Sequence, residues 1–219
     1  MNIYLALALC FLPLAIVFFA LWKFAKINTL LLLLAFVFGG IALAPASILQ
    51  IALPFPEITN WHLSLLHALF VIGFIEEGVK ALAIFFLPAK KLTALQFFLL
   101  ALFAGLAFGT FESALFFLKQ FQKASSFGAE LLYRDIFVRM FTSDVVHSLA
   151  ASLSGLSIFA WKHKRFSLLP ILFAIVLHGL YDFFELYDSI SYFAHACILL
   201  LALEGRSAYV KQAKKENGE

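Results

Sequence analysis

The sequence is short of charge: 13% of its 219 residues are Asp, Glu, Lys or Arg, against roughly 25% in a soluble domain. With 63% apolar residues and a mean hydropathy of +0.98, the chain has too few polar side chains to cover a globule of this size. That excludes the water-soluble and disordered classes. Cysteine is nearly absent. Cys10 and Cys197 each sit inside an apolar run without a partner at ligand spacing, which excludes a disulfide scaffold and a thiolate metal site. No internal repeat, low-complexity tract or long linker divides the chain. The formal charge of +3 does not point to nucleic acid, because the basic residues stand at helix ends, where membrane topology explains them.

What the sequence does have is apolar runs, with Phe at 28 positions. They cover about Ile3–Trp22, Thr29–Leu53 (closed by Pro54 and Pro56), Leu63–Leu87, Thr93–Leu118, Met140–Trp161, Leu168–Phe184 and Ile190–Leu203. A spanning helix takes about 20 apolar residues, so the expectation is an all-α, polytopic membrane bundle of about seven transmembrane helices. The first run lacks a basic leader and a small-residue cleavage site, and reads as a retained helix. A polar stretch, Lys119–Glu130, and a mixed amphipathic segment, Leu131–Arg139, separate the fourth and fifth runs. One membrane domain is expected over residues 1–203, with a charged tail over 204–219.

Basic residues set the expected orientation. With the N-terminus outside, Lys23, Lys26, Lys90, Lys91, Lys162, Lys164, Arg165, Arg206, Lys211, Lys214 and Lys215 face the cytoplasm, and only Lys119, Lys123, Arg134 and Arg139 lie outside. The C-terminus is then cytoplasmic.

Ionisable residues inside the runs carry the functional information: Glu76, Glu77 and Lys80 in the third, Glu112 in the fourth, Asp144 and His147 in the fifth, His178 and Asp182 in the sixth. A charge at the bilayer centre costs about 2.5–3.5 kcal/mol, so five unpaired ones would cost on the order of 15 kcal/mol. They are expected to face the bundle interior and to pair. In the seven-span topology, Glu76, Glu112, His147 and His178 fall at a common central-to-outer depth, although their helices run in alternating directions.

Spacing then says which groups meet. Lys80 follows Glu76 by four residues and Glu77 by three, within reach of either carboxylate; a buried ion pair that only fixes packing is the bland alternative. Gly105 and Gly109 share a face with Glu112 and allow a neighbouring helix to approach beside it. His178 and Asp182, at i and i+4, suit a carboxylate orienting an imidazole or two ligands on one metal. His62, His67, His163 and His195 read as structural, and Arg139 as an interfacial anchor or a substrate contact.

These motifs resemble a known family. Phe74-Ile75-Glu76-Glu77-Gly78-Val79-Lys80 is similar to the Glu-Glu-x-x-Lys signature of PrsW intramembrane proteases, a group related to the CAAX-prenyl endopeptidases. The Gly-rich stretch from Ala104 to Glu112, Arg139 followed by His147, and His178-Gly179-Leu180-Tyr181-Asp182 resemble that family's other motifs in the same order. The chain departs from the pattern at Ser113, where Asn is common, and at Phe116 and Phe117, where Tyr is common.

The resemblance implies a bacterial plasma-membrane endopeptidase acting on a single-span protein, with site-1 cleavage of an anti-sigma factor as the family's role. For the chemistry, Glu76 is the expected general base, with water held between it and the imidazoles of His147 and His178. Glu77 pairs with Lys80, although the two glutamates can exchange roles. Asp182 orients His178, and Glu112 is a third ligand or a second acid. Two versions stay open: a divalent metal such as zinc on His147, His178 and Glu112, or water activation without metal. The alternatives from other classes are a non-catalytic membrane scaffold of the same fold and a proton-coupled transporter.

Overall fold

The computed structural model of the chain describes residues 3–123 and 129–216, and among these there are helices and no strand. Helix α1 is Ile3–Lys23 and α2 is Thr29–Ala52, opened by Asn28, whose side chain accepts from the Leu30 N–H at 2.8 Å. Asn60 caps α3 (Trp61–Leu66) in the same way through the Leu63 N–H. That helix continues without a break as a π-helical segment, His67–Gly73, and then as α4, Phe74–Phe85. There follow α5 (Ala94–Lys123), α6 (Ala129–Phe141), α7 (Ser143–Lys162), α8 (Leu169–Glu185) and α9 (Tyr192–Glu216).

Six of the seven apolar runs lie each on one helix, the third being the continuous α3–π–α4 rod, and the fifth is divided between the end of α6 and α7. Helices α1, α2, α5 and α9 are long and apolar enough to cross a membrane on length and composition alone. Helix α7 is more polar because it sits at the centre of the bundle. Every residue from Ala150 to Ala160 is buried among other helices, so none has to match lipid.

Two boundaries differ from the hydropathy reading. The fifth run does not begin a helix at Met140: the chain leaves helical geometry at Thr142 (φ −121, ψ −84), so Met140 lies in the last turn of α6. The Thr142 hydroxyl donates to the Val138 carbonyl at 2.9 Å, a local bond that competes with helix propagation. The last helix does not stop at Leu203. It runs on to Glu216, where Arg165 Nη2 donates to the Lys215 carbonyl at 3.1 Å. Part of the polar stretch Lys119–Glu130, residues 124–128, lies outside the described residues.

Two close helix contacts position the site. A Cβ on Gly105 would collide with the carbonyl oxygen of His147, and one on Gly109 would lie 2.9 Å from His147 Cδ2, so the expected close neighbour of the Gly-x-x-x-Gly face is α7. On the other side, a Cβ on Gly179 would lie 2.7 Å from the Ala68 carbonyl oxygen, and one on Gly73 would lie 2.6 Å from that of Ile175. These glycines press α8 onto the π segment immediately before Glu76 and Glu77.

Candidate active site

Glu76 and Glu77 occupy the first turn of α4, and Lys80 the next turn. With His147 from α7 and His178 from α8 they form a cluster in which no residue is more than 5% exposed. The two imidazoles stand nearly perpendicular (85°), with ring centroids 4.8 Å apart. Burying so many ionisable groups is tolerated only with mutual pairing, and the pairing is extensive.

Glu77 is the hub of one half. Its Oε1 accepts from His178 Nδ1 at 2.7 Å and forms an ion pair with Lys80 Nζ at 2.5 Å. A carboxylate only accepts, so His178 carries its proton on Nδ1 and turns the Nε2 lone pair inward. Lys80 also donates to His147 Nδ1 at 3.0 Å and lies over the Phe108 ring, 4.7 Å from its centroid. With Nδ1 accepting, His147 donates from Nε2 to Glu112 Oε2 at 3.0 Å.

Glu76 sits between the imidazoles. Its Oε2 is 3.8 Å from His147 Nδ1 and 3.8 Å from His178 Nε2, and among the described residues it has no hydrogen-bond partner. Its Oε1 accepts from Gln50 Nε2 of α2 at 2.9 Å.

Two expected arrangements are corrected by this geometry. Glu112 was expected to join His147 and His178 as a metal ligand, but its Oε2 bonds the outer nitrogen of His147 and is clamped by Arg139 Nη2 at 2.7 Å. The carboxylate between the two imidazoles is Glu76, and Glu76, His147 and His178 each offer a ligand atom within 4.8 Å of the others. Asp182 was expected to orient His178 as its i+4 partner. Glu77 does so instead, and Asp182 Oδ2 lies 3.4 Å from the inward-facing Nε2, with no hydrogen-bond partner among the described residues.

Arg139 is not a simple interfacial anchor. Besides Glu112, it donates from Nη2 to Ser143 Oγ at 3.2 Å and from Nε to Ser113 Oγ at 3.1 Å, and it lies over the Phe116 ring. Ser113 in turn donates to the buried Asp144 at 2.7 Å. Ser113 and Phe116, two of the departures from the family pattern, therefore both serve to hold this arginine. Gln50 escaped the sequence reading altogether; the available signal was a lone carboxamide in the otherwise apolar end of α2. Three of the other histidines have partners away from the cluster: His62 stacks on Trp61, His67 meets the edge of Phe55, and His163 donates to the Phe159 carbonyl.

The donor set fits a divalent cation. One carboxylate oxygen without a partner, two imidazole nitrogens facing it and the unpartnered Asp182 oxygen converge from three helices. The lone pair of His147 Nδ1 accepts from the Lys80 ammonium, so His147 would ligate an ion through this nitrogen only after giving up that hydrogen bond. The Glu77–His178 bond is the carboxylate–histidine support that commonly stands behind a metal-ligating imidazole.

A family model described as PrsW family intramembrane metalloprotease matches residues 27–203. The match takes in α2 through the first half of α9, and with them every residue of the cluster. No curated protein and no solved structure matches the chain.

Proposed function

The chain belongs to the PrsW family of intramembrane metalloproteases, and from that premise we propose that it hydrolyses a peptide bond in a single-span membrane protein of the bacterial plasma membrane, by the family's habit an anti-sigma factor. The reading rests on one observation above the others: Glu76 Oε2, buried and unpartnered, equidistant at 3.8 Å from an imidazole nitrogen of His147 and one of His178. Buried polar atoms are ordinarily satisfied, and an unpaired carboxylate oxygen set between two imidazoles is one that a water or an ion would satisfy.

In the proposed reaction, water sits against Glu76 Oε2 and the His178 Nε2 lone pair. Glu76 takes its proton as the oxygen attacks the scissile carbonyl, and returns that proton to the departing amine. Lys80, bonded to both Glu77 and His147, places a fixed positive charge beside the developing oxyanion. Glu77 holds the His178 ring, and Glu112 with Arg139 holds His147 from its far nitrogen. If Glu76, His147 and His178 instead held a divalent ion such as zinc, the ion would supply Lewis acidity, with Glu76 as its ligand rather than the free base.

An outward N-terminus and a cytoplasmic C-terminus complete the proposal; the uneven distribution of Lys and Arg supports this orientation. It places the cluster in the outer half of the membrane, facing the juxtamembrane segment of a substrate.

The test is cleavage of a co-expressed, membrane-anchored reporter carrying single-span segments. Glu76→Gln and His178→Ala are each expected to abolish cleavage while the protein still inserts. Full activity in both variants removes the hydrolytic reading.

A further inference from the structure

We infer that Gln50 is a positioning residue: by donating to Oε1 of Glu76, its carboxamide turns Oε2 toward His147 and His178, where a divalent cation is held. The inference deepens the function proposed above and rests on Glu76 being the working carboxylate.

The two oxygens of Glu76 have different surroundings. Oε1 takes the 2.9 Å hydrogen bond from Gln50, whereas Oε2 has no hydrogen-bond partner among the described residues and faces both imidazoles at 3.8 Å. The terminal torsion of a glutamate is broad and roughly two-fold, so burial alone leaves the carboxylate free to rotate. A donor fixed on one oxygen removes that freedom. Lys80 does not serve, because its ammonium is engaged by Glu77 and His147.

The helix that carries Gln50 is built to hold it there. Ala42, Leu43 and Ala46 of α2 are buried against Val71 and Ile75 in the rod that leads to Glu76. Gln50 follows Ala46 by one helical turn and so extends this packed face to the level of Glu76. It is the single carboxamide in α2, which has no ionisable residue. A primary amide among apolar side chains is costly without a partner, and Glu76 is the partner it has.

The test uses the full-length protein in detergent micelles, with zinc as the probe and a chromophoric chelator as competitor. Gln50→Leu keeps the bulk without the donor, and Gln50→Asn keeps the amide but shortens its reach by one methylene. Both are expected to bind zinc 10–100-fold more weakly than the unaltered protein, the usual effect of removing a group that orients a metal ligand, in protein that stays folded without metal, although losing the donor to the buried Glu76 lowers its stability. Zinc affinity equal to that of the unaltered protein in either folded variant overturns the inference. So does full recovery in Gln50→Asn alone, since polarity without reach would then suffice, and so does absence of zinc binding by the unaltered protein. Cleavage by Glu76→Gln, measured in parallel, reports separately on the hydrolytic reading.

Discussion

Glu77 and His178 are 101 positions apart in the sequence and share a 2.7 Å hydrogen bond in the centre of the bundle. The bond fixes the tautomer of His178 and leaves its Nε2 directed at Glu76. Glu77→Gln retains an acceptor of nearly the same shape but removes the charge that stabilises the N–H donor and compensates Lys80. The expected outcome is a protein that still folds, less stably because Lys80 loses its counter-charge, and whose cleavage rate and zinc affinity both fall 10–100-fold. Reporter cleavage and chelator competition measure the two effects. A loss of cleavage alone, with zinc affinity intact, would instead make Glu77 a base in its own right.

The Lys80–Glu77 pair is buried on both sides, with side chains 2% and 0% exposed. Removing one member of such a pair strands the other. Lys80→Met is expected to destabilise the protein by about 3–5 kcal/mol, and the double substitution Lys80→Met/Glu77→Gln to recover a large part of that loss. Chemical unfolding in mixed micelles reads both values. Additive losses would show that the two side chains do not depend on each other.

Gly105 lies where α5 and α7 touch, and any side chain there meets the His147 carbonyl oxygen. Because the obstacle is backbone, it cannot rotate away. Gly105→Ala is therefore expected to cost about 1–3 kcal/mol as overpacking and to push His147 away from Glu112 and Lys80, lowering cleavage more than stability. Gly78→Ala is the control, since a Cβ at Gly78 meets nothing within 4 Å, and it is expected to keep both. Equal behaviour of the two variants would separate the close helix approach from the chemistry.

The site was legible where a polar residue interrupts an apolar run, because the membrane makes each such residue conspicuous. Glu76, Glu77, Lys80, Glu112, His147, His178 and Asp182 all stand out for that reason, and all lie in one region of the structure. Their pairing was less legible. Local spacing suggested Asp182 as the partner of His178, while the bond to its outer nitrogen comes from a different helix. Arg139 read as an anchor because its partner Glu112 is 27 positions away and no periodicity connects them. The π segment His67–Gly73 was invisible, since a change in hydrogen-bond register leaves hydropathy untouched. Thr142 ends a helix without Gly or Pro, so the boundary between α6 and α7 carried no punctuation.

Removing metal supplies the last prediction. If Glu76, His147 and His178 hold an ion, the buried and unpartnered Oε2 of Glu76 gains a partner only in the loaded protein, and the ion binds the folded chain in preference to the unfolded one. Ligand present at about 100 times its dissociation constant stabilises by about 2.7 kcal/mol. Dialysis of the purified protein against a strong zinc chelator is therefore expected to lower its unfolding temperature and stop cleavage, and added zinc to restore both. In Glu76→Gln and His178→Ala the same treatment is expected to leave the unfolding temperature in place, because the triangle is already broken. A chelator-induced shift of equal size in those variants would locate the ion elsewhere in the protein. Cleavage that persists through complete metal removal would favour direct activation of water by Glu76 and the imidazoles.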